Sequence, residues 1–378
     1  MDHLMFPRPT YSIINLENLK FNFRSVKNFV GGEPRFMAVV KADAYGHGAV
    51  ECARTLEAAG SDWFGVATLE EALELRSAGI HQPILCFGGS WPGQETAMLA
   101  NAVTPVIFDL DTAKRISHAA GTASAKVHVK IDTGMLRIGV PVEDAHTFAS
   151  ELSKIRNLEV EGIMSHFAAA DDLEQTEFTE QQTARFHGTV EQFRDCGIHP
   201  SVIDIANSPG AVAFSGSAEN LIRIGGLLYG LGGDVLPPGI AKPELKPVMS
   251  LVTKLAQVKN VSPGATVGYG RTFSVERESI LGTVAVGYHD GYRRGLSNTG
   301  RVLVNGQFAP VVGRVSMDWT IVDLTDVPKA KVGDEVVMIG RQGERWISAE
   351  DLARDVGTIS YEITCGISKR VPRVHQKH

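Results

Sequence analysis

Lys41 closes the apolar run FMAVVK and is followed by ADAYGHGA. A lysine at the end of a buried strand loses solvation, which favours its neutral amine and suits imine chemistry with a carbonyl group. The competing reading is a strand-end lysine that snorkels its ammonium into water. The segment KVHVKIDTGMLRIG places Lys130 at the end of another apolar run and Arg137 beyond a glycine turn. Arg137 could clamp a carboxylate through two parallel hydrogen bonds, which a planar guanidinium does better than an ammonium. Equally, both could be surface charges. His166 follows EGIMS, Asn207 and Ser208 follow SVIDI, and LIRI carries Arg223 into Gly225, Gly226 and Gly230. Bare backbone N–H groups at such glycines can cradle a phosphate. His166 taken alone reads as a satisfied core residue. Further along, Tyr269 sits in the glycine-flanked VGYGRTF, and GYHDGYRR offers Tyr288, Asp290 and Tyr292. GRVSMDW offers Met317 and Asp318, and ISYEITCGISKRVPR offers Tyr361. Any one of these tyrosines alone is ordinary packing or a surface hydrogen bond. A strand-end lysine, phosphate glycines and an arginine clamp together point to a phosphorylated aldehyde cofactor held as an imine, with an anionic substrate beside it.

The elements that must position these residues follow a repeating pattern. Short β-branched runs end near Lys41, Thr68, Phe87, Phe108, Ile131, Ser165, Ile205 and Ile224. Stretches such as Leu69–Ala78, Ala113–Ala120 and Gln175–Cys196 between them have helical character. Strand–helix alternation implies parallel strands joined by crossovers. Eight such units fit a (β/α)8 barrel of roughly 250 residues, whose active site forms at the C-terminal strand ends and whose last two loops often bind phosphate. That is why polar residues just after each run carry weight. Pro237, Pro238, Pro243 and Pro247 then break the pattern and read as a linker. Runs such as SLVTKLAQV, ILGTVAVGY and DEVVMIG, punctuated by turn residues, predict a mostly β domain. The expected division is a barrel over 11–243 and a β domain over 244–378 that residues 1–10 join.

Composition narrows the class. The chain has 378 residues, of which 43% are hydrophobic and 21% charged, as a well-cored globular protein requires. Its 37 Lys+Arg against 43 Asp+Glu leave a net charge of −6 without a basic block, which argues against a nucleic-acid partner. Four scattered cysteines suggest neither a disulfide framework nor a metal site. The opening MDHLMFPRPT lacks a signal-peptide pattern, and no apolar run reaches the ~18 residues of a membrane span. A cytoplasmic enzyme is expected.

The chain resembles the pyridoxal-phosphate alanine racemases (fold type III). The likeness runs over nearly its whole length through VVKADAYGHG, KIDTGMLRIG, EGIMSHFAAAD, ANSPG, RIGGLLYG, VGYGRTF, VAVGYHDGYRR, VGRVSMDW and ISYEITCGISKRVPR. The resemblance implies a barrel joined to a β domain, a homodimer with shared active sites, and pyridoxal 5'-phosphate as cofactor. It further implies that Lys41 bonds to the cofactor and serves as one base, with Tyr269 of the partner subunit as the other. Tyr45, Ser208, Gly225, Gly226 and Tyr361 would hold the phosphate, with Asn207 beside them. Arg223 would face the pyridine nitrogen, with His166 behind it. Arg137 and the partner subunit's Met317 would meet the substrate carboxylate. Lys130 matches a position that family members often carry carbamylated. Tyr288, Asp171, Arg294 and Arg314 match a substrate access corridor. Two residues depart from the commonest pattern: Ser316 stands in place of a cysteine and Gly226 in place of a bulkier aliphatic. Alternatives to alanine racemisation are a racemase of broader or serine specificity, a fold-related decarboxylase and a non-catalytic pyridoxal-phosphate binder. Arg223, where decarboxylases usually place a carboxylate, argues against the decarboxylase. The second domain argues against the binder.

Overall fold

Each of the eight apolar runs becomes a strand, because β-branched and aromatic residues buried on both faces suit a parallel sheet covered by helices. The computed structural model describes residues 8–32, 34–214 and 220–377. Strand β1 (Tyr11–Asn15) and the helix Leu16–Val30 lead into β2 (Arg35–Val39), β3 (Trp63–Val66), β4 (Ile84–Cys86) and β5 (Val103–Ile107). There follow β6 (Ala125–Asp132), the short β7 (Val140–Pro141), β8 (Leu158–Met164), β9 (Val202–Asp204) and β10 (Leu221–Ile224). Eight of these lie parallel in the order β10-β2-β3-β4-β5-β6-β8-β9, with β7 beside β6. At the seam, Asn220 N donates to Ile203 O (3.2 Å) and Arg223 N to Ala206 O (3.1 Å), which draws β9 and β10 together into a barrel. Helices Leu69–Ser77, Leu110–Ala120 and Thr176–Asp195 cross over outside it. Thr68 and Asp109 start the first two by accepting from Glu71 N and Thr112 N, as N-cap side chains do. The expected (β/α)8 barrel is present.

Strand periodicity decides what fills it. Successive side chains face opposite ways. One alternate set (Met37, Trp63, Leu85, Val106, Met164, Val202 and Leu221) packs together in the barrel interior, with His128 against Trp63 at 5.3 Å. One pleat nearer the C-terminal strand ends, two residues past His128, Val202 and Leu221, the inward positions are Lys130, Asp204 and Arg223. Lys130 and Asp204 stand in register with the plug residue Met164, and Arg223 with Met37, so a charged layer is set into the mouth-side edge of an apolar plug.

After β10 and the short 3-10 turn Gly226–Tyr229, the proline-rich chain forms no further strand or α-helix until β11 (Met249–Val261). The second sheet is mostly antiparallel. The hairpin Arg301–Val304/Gln307–Pro310 adds to Glu335–Gln342, which pairs with β11. Strand β1 lies between β11, antiparallel with Tyr11 opposite Val252, and the parallel strand Arg373–Gln376. Tyr11–Asn15, which the expected boundary at residue 11 puts with the barrel, thus pairs in the second sheet. Its alternating burial suits a two-sided sheet better than the continuously buried barrel strands. Of the segment 1–10 expected to join this domain, residues 1–7 lie outside the described residues. Arg8 donates to Asp290 Oδ2 (2.7 Å) and Ala285 O (2.6 Å).

Candidate functional site

A cavity of about 530 Å³ opens where the charged layer meets the C-terminal strand ends. Its lining includes Lys41, Tyr45, Lys130, Arg137, His166, Asn207, Ser208, Arg223, Gly225, Gly226 and Tyr361. The barrel residues singled out by type and spacing thus share one space. Asp171 lines it as well.

Lys41 reaches the cavity from an unexpected backbone. β2 ends at Val39, so Lys41 does not end a strand but opens a turn. Ala42, Asp43, Ala44 and Tyr45 each have φ of 54°, forming one turn of left-handed helix. Each such non-glycine residue costs roughly 1–2 kcal/mol, so side chains must enforce the turn. The Glu71 carboxylate accepts from Ala42 N and Ala67 N, both at 2.7 Å. Asp43 Oδ1 accepts from Ala49 N (2.8 Å), and His47 Nδ1 donates to Ala44 O (2.9 Å). Strain held in this way concentrates at functional sites. The turn presents the Lys41 and Tyr45 side chains to the same cavity.

His47 makes this turn acid-sensitive. Buried and stacked on Tyr229 (4.6 Å), it is pushed down to about 4 by desolvation. The unfolded chain protonates histidine near ~6.5. Its stabilising contribution is therefore present above that pH and lost as pH falls from there towards 4. Between pH 7 and 5 the protein should lose about 2 kcal/mol of unfolding free energy through this residue. In His47→Gln, which keeps a donor for Ala44 O, urea unfolding at the two pH values should show that much less loss. Equal losses in both proteins would refute the assignment.

Electrostatics single out the amines. Burial lowers the proton affinity of Lys41, and Arg137 and Arg223 add to it while Glu71 opposes. Lys130, fully inside, is held well below the lysine range by burial and then by Arg223 and Arg137. Burial, followed by Arg223, Lys130, Arg137 and Lys41, keeps His166 neutral. Arg223 is driven down by burial and by Arg137. Its Nη2 donates to Ser165 O (2.9 Å) and Ile205 O (3.1 Å) and lies 3.1 Å from His166 Nδ1. Its Nη1 is ion-paired with Asp204. The sequence reading passed over Asp204; the available signal was an acid at an inward position of the apolar run SVIDI.

At the opposite end, Gly225 N donates to Ser208 Oγ (3.0 Å). Asn207 Oδ1 accepts from Gly210 N (3.0 Å), capping the short helix Ser208–Ala213 that carries Ser208. Any side chain at Gly225 would strike the Tyr45 hydroxyl, and one at Gly226 would strike the Tyr361 ring. Tyr361 thus takes the space that a side chain at Gly226 would need. The two tyrosine rings meet edge to face at 5.2 Å, and burial pushes both hydroxyls far up, keeping them neutral donors. Tyr361 sits on the helix Ser360–Cys365, whose start Asp234 holds through Ser360 N (2.6 Å) and Oγ (2.8 Å).

The second domain's residues are distributed differently. Tyr269 is 73% exposed on a turn between Gly268 and Gly270, and Met317 and Tyr288 are exposed too. None of the three lines the cavity of its own chain, nor do Arg294 and Arg314. Tyr269, Arg314, Ser316 and Trp319 instead line a separate concavity of about 380 Å³. Asp290 and Tyr292 are structural. Asp290 is buried beneath Arg8 and Arg370, Arg370 also holds Asp318 (2.6 Å), and Tyr292 belongs to the core.

Comparison with known proteins agrees with this arrangement. Residues 14–232 match the family model "Alanine racemase, N-terminal domain" and residues 248–375 match "Alanine racemase, C-terminal domain". The alanine racemase of Geobacter sulfurreducens is 43% identical over 98% of this chain and 98% of its own. That of Halothermothrix orenii is 41% identical over 98% and 97%. Among solved structures, alanine racemase from Clostridium difficile superposes with a TM-score of 0.93 at 36% identity, covering 99% of this chain and 97% of that one. The Bacillus anthracis alanine racemase with bound L-Ala-P gives 0.91 at 36% identity over 98% and 96%. Among the described residues no helix is long and apolar enough to cross a membrane. With both halves matched in order and relatives aligned over nearly the full length, this chain belongs to the alanine racemase family, isomerases that act on alanine.

Proposed function

We propose that this protein interconverts L- and D-alanine, using pyridoxal 5'-phosphate bound in the barrel cavity and a second base supplied by a partner copy. One observation carries the reading: an amine of lowered proton affinity, Lys41, faces a cavity ringed by Lys130, Arg137 and Arg223. Like charges this close repel one another, and an anionic occupant such as a phosphate or a carboxylate relieves that repulsion. The donor set fits the cofactor. At Gly225 and Gly226 the absence of a Cβ lets the Tyr45 hydroxyl and the Tyr361 ring come down onto bare backbone beside Ser208, which gathers hydroxyl and N–H donors at one end of the cavity. Lys41 has the amine an aldehyde needs. Bound there, pyridoxal phosphate would supply the electron sink that acidifies the Cα–H of alanine.

The chain's own residues divide the remaining work. Tyr45, Ser208, Gly225, Gly226 and Tyr361 would hold the phosphate, and Asn207 supports Ser208 by capping its helix. Arg223, which has no acceptor, would be the donor toward the ring nitrogen, with His166 behind it. Arg137 would orient the substrate carboxylate, and Lys130, whose proton affinity burial and Arg223 lower, would be the amine beside it, suited to carbamylation. Racemisation removes a proton from one face of Cα and returns one to the other. Lys41 serves one face and Tyr269 of the partner subunit the other, so neither base has to swivel. Exposure of Tyr269, Met317 and Tyr288 away from their own cavity supports a homodimer that completes each site in trans. We place the division between the two units within the proline-rich segment, between residues 243 and 244.

Incubation of the protein and pyridoxal phosphate with either alanine enantiomer should end at equal amounts of both, read on a chiral column. Persistence of the starting enantiomer would overturn the proposal, and CO2 release would favour a decarboxylase. Serine in place of alanine reads the substrate range.

A further inference from the structure

We propose that Asp204 is a positioning residue that holds Arg223 as half of a buried, charge-neutral pair, so that Arg223 meets the cofactor ring as an anchored donor rather than a free cation. The inference rests on the reading that pyridoxal phosphate occupies the cavity.

Asp204 has no exposed surface, and Arg223 is 4% exposed. Their positions follow from strand periodicity: each stands one pleat above an apolar floor residue, Val202 and Leu221, on the two strands that meet at the barrel seam. Asp204 is ion-paired with Arg223 Nη1, while Ser165 O and Ile205 O accept from Nη2. Two hydrogen bonds tie Nη2 to the barrel and the ion pair holds the other terminal nitrogen beside the carboxylate. The other charged or titratable groups around it are Arg137, the lysines Lys130 and Lys41, the neutral His166, and the buried His128, which burial and Arg223 push down. Burial and Arg137 push Arg223 towards releasing its proton. A carboxylate in contact opposes both effects.

The electrostatic consequence concerns the ring. A lone buried guanidinium would pull electron density strongly through the ring nitrogen, as an unscreened charge does in a low-dielectric site. The same guanidinium paired with a carboxylate carries no net charge and pulls less. The weak sink that suits a racemase then belongs to the pair, and not to arginine alone.

The test is a pH titration of the visible absorption of holoenzyme prepared with pyridoxal phosphate. Asp204→Asn should lower the midpoint by roughly one pH unit, because an uncompensated positive charge nearby disfavours the protonated chromophore. Asp204→Glu, which keeps the charge, should restore most of the shift; a purely structural role would leave the midpoint of any folded variant in place. A parent protein with no visible band refutes the cofactor reading itself. A parent with a band, and a folded Asp204→Asn whose midpoint matches it, overturns the role of Asp204 alone. Should Asp204→Asn fail to fold, the paired variant Asp204→Asn with Arg223→Gln decides. Restored thermal stability shows that the two charges act as one unit, and a paired variant as crippled as the single one overturns the proposal.

Discussion

Replacing Lys41 with alanine should abolish racemisation in both directions, a loss of at least about 10³-fold. The residue would be the anchor for the cofactor and one of the two bases, so its removal strikes two roles at once. The fold should survive. Burial disfavours the Lys41 ammonium, and its neighbours Arg137 and Arg223 repel it further. Deleting the side chain removes that cost, so the unfolding midpoint of Lys41→Ala without cofactor should equal or exceed that of the parent. The left-handed turn begins at Ala42, and the hydrogen bonds of Glu71, Asp43 and His47 that hold it do not involve the Lys41 side chain. Borohydride reduction of the holoprotein should attach the cofactor to the peptide containing Lys41. Attachment elsewhere, or a variant that still racemises alanine at a comparable rate, would refute the assignment.

Tyr269→Phe should have an equally large but one-sided effect. Exchange of the α-hydrogen with solvent deuterium should fall by roughly 10²–10⁴-fold for one alanine enantiomer and far less for the other, because only one face of Cα loses its base. Equal losses for both enantiomers would refute the two-base reading. The same variant tests whether sites are shared. Lys41→Ala and Tyr269→Phe protomers, each inactive as homodimers, should regain activity when mixed and re-paired. A heterodimer carries both lesions in one site and none in the other, so random pairing yields about a quarter of the parental activity. No recovery after verified exchange would place Tyr269 and Lys41 in the same chain's site. Trans contribution is expected because Tyr269 is 73% exposed and absent from the cavity that Lys41 lines.

The barrel was legible because its strands are short, buried on both faces and separated by helix-length segments, and local composition records all three. The cavity was legible for a related reason. Residues just beyond a strand face the loops of the barrel mouth, so Lys41, Lys130, His166, Ser208 and Arg223 could be grouped from position alone. Backbone detail was less accessible. Lys41 reads as a strand end because VVK is apolar and β-branched, yet β2 stops at Val39 and the chain turns left-handed through four non-glycine residues. That turn depends on Glu71, about thirty positions away, which no local propensity encodes. Strand β1 looked like barrel material, but its partners are more than 200 residues distant.

By itself the sequence determined the order and type of the elements, the chemistry of the side chains at the strand ends and the motifs that mark the family. These follow from periodicity and residue type, which are local properties. Tertiary structure alone decided the electrostatics. Lys130, Asp204 and Arg223 come together only when three strands turn their inward faces toward one another. Desolvation there turns two lysines into weakened cations and holds His166 neutral. Closure of the barrel likewise left Tyr269 and Met317 outside their own chain's cavity. Burial and proximity set proton affinities, and both are properties of the assembled fold.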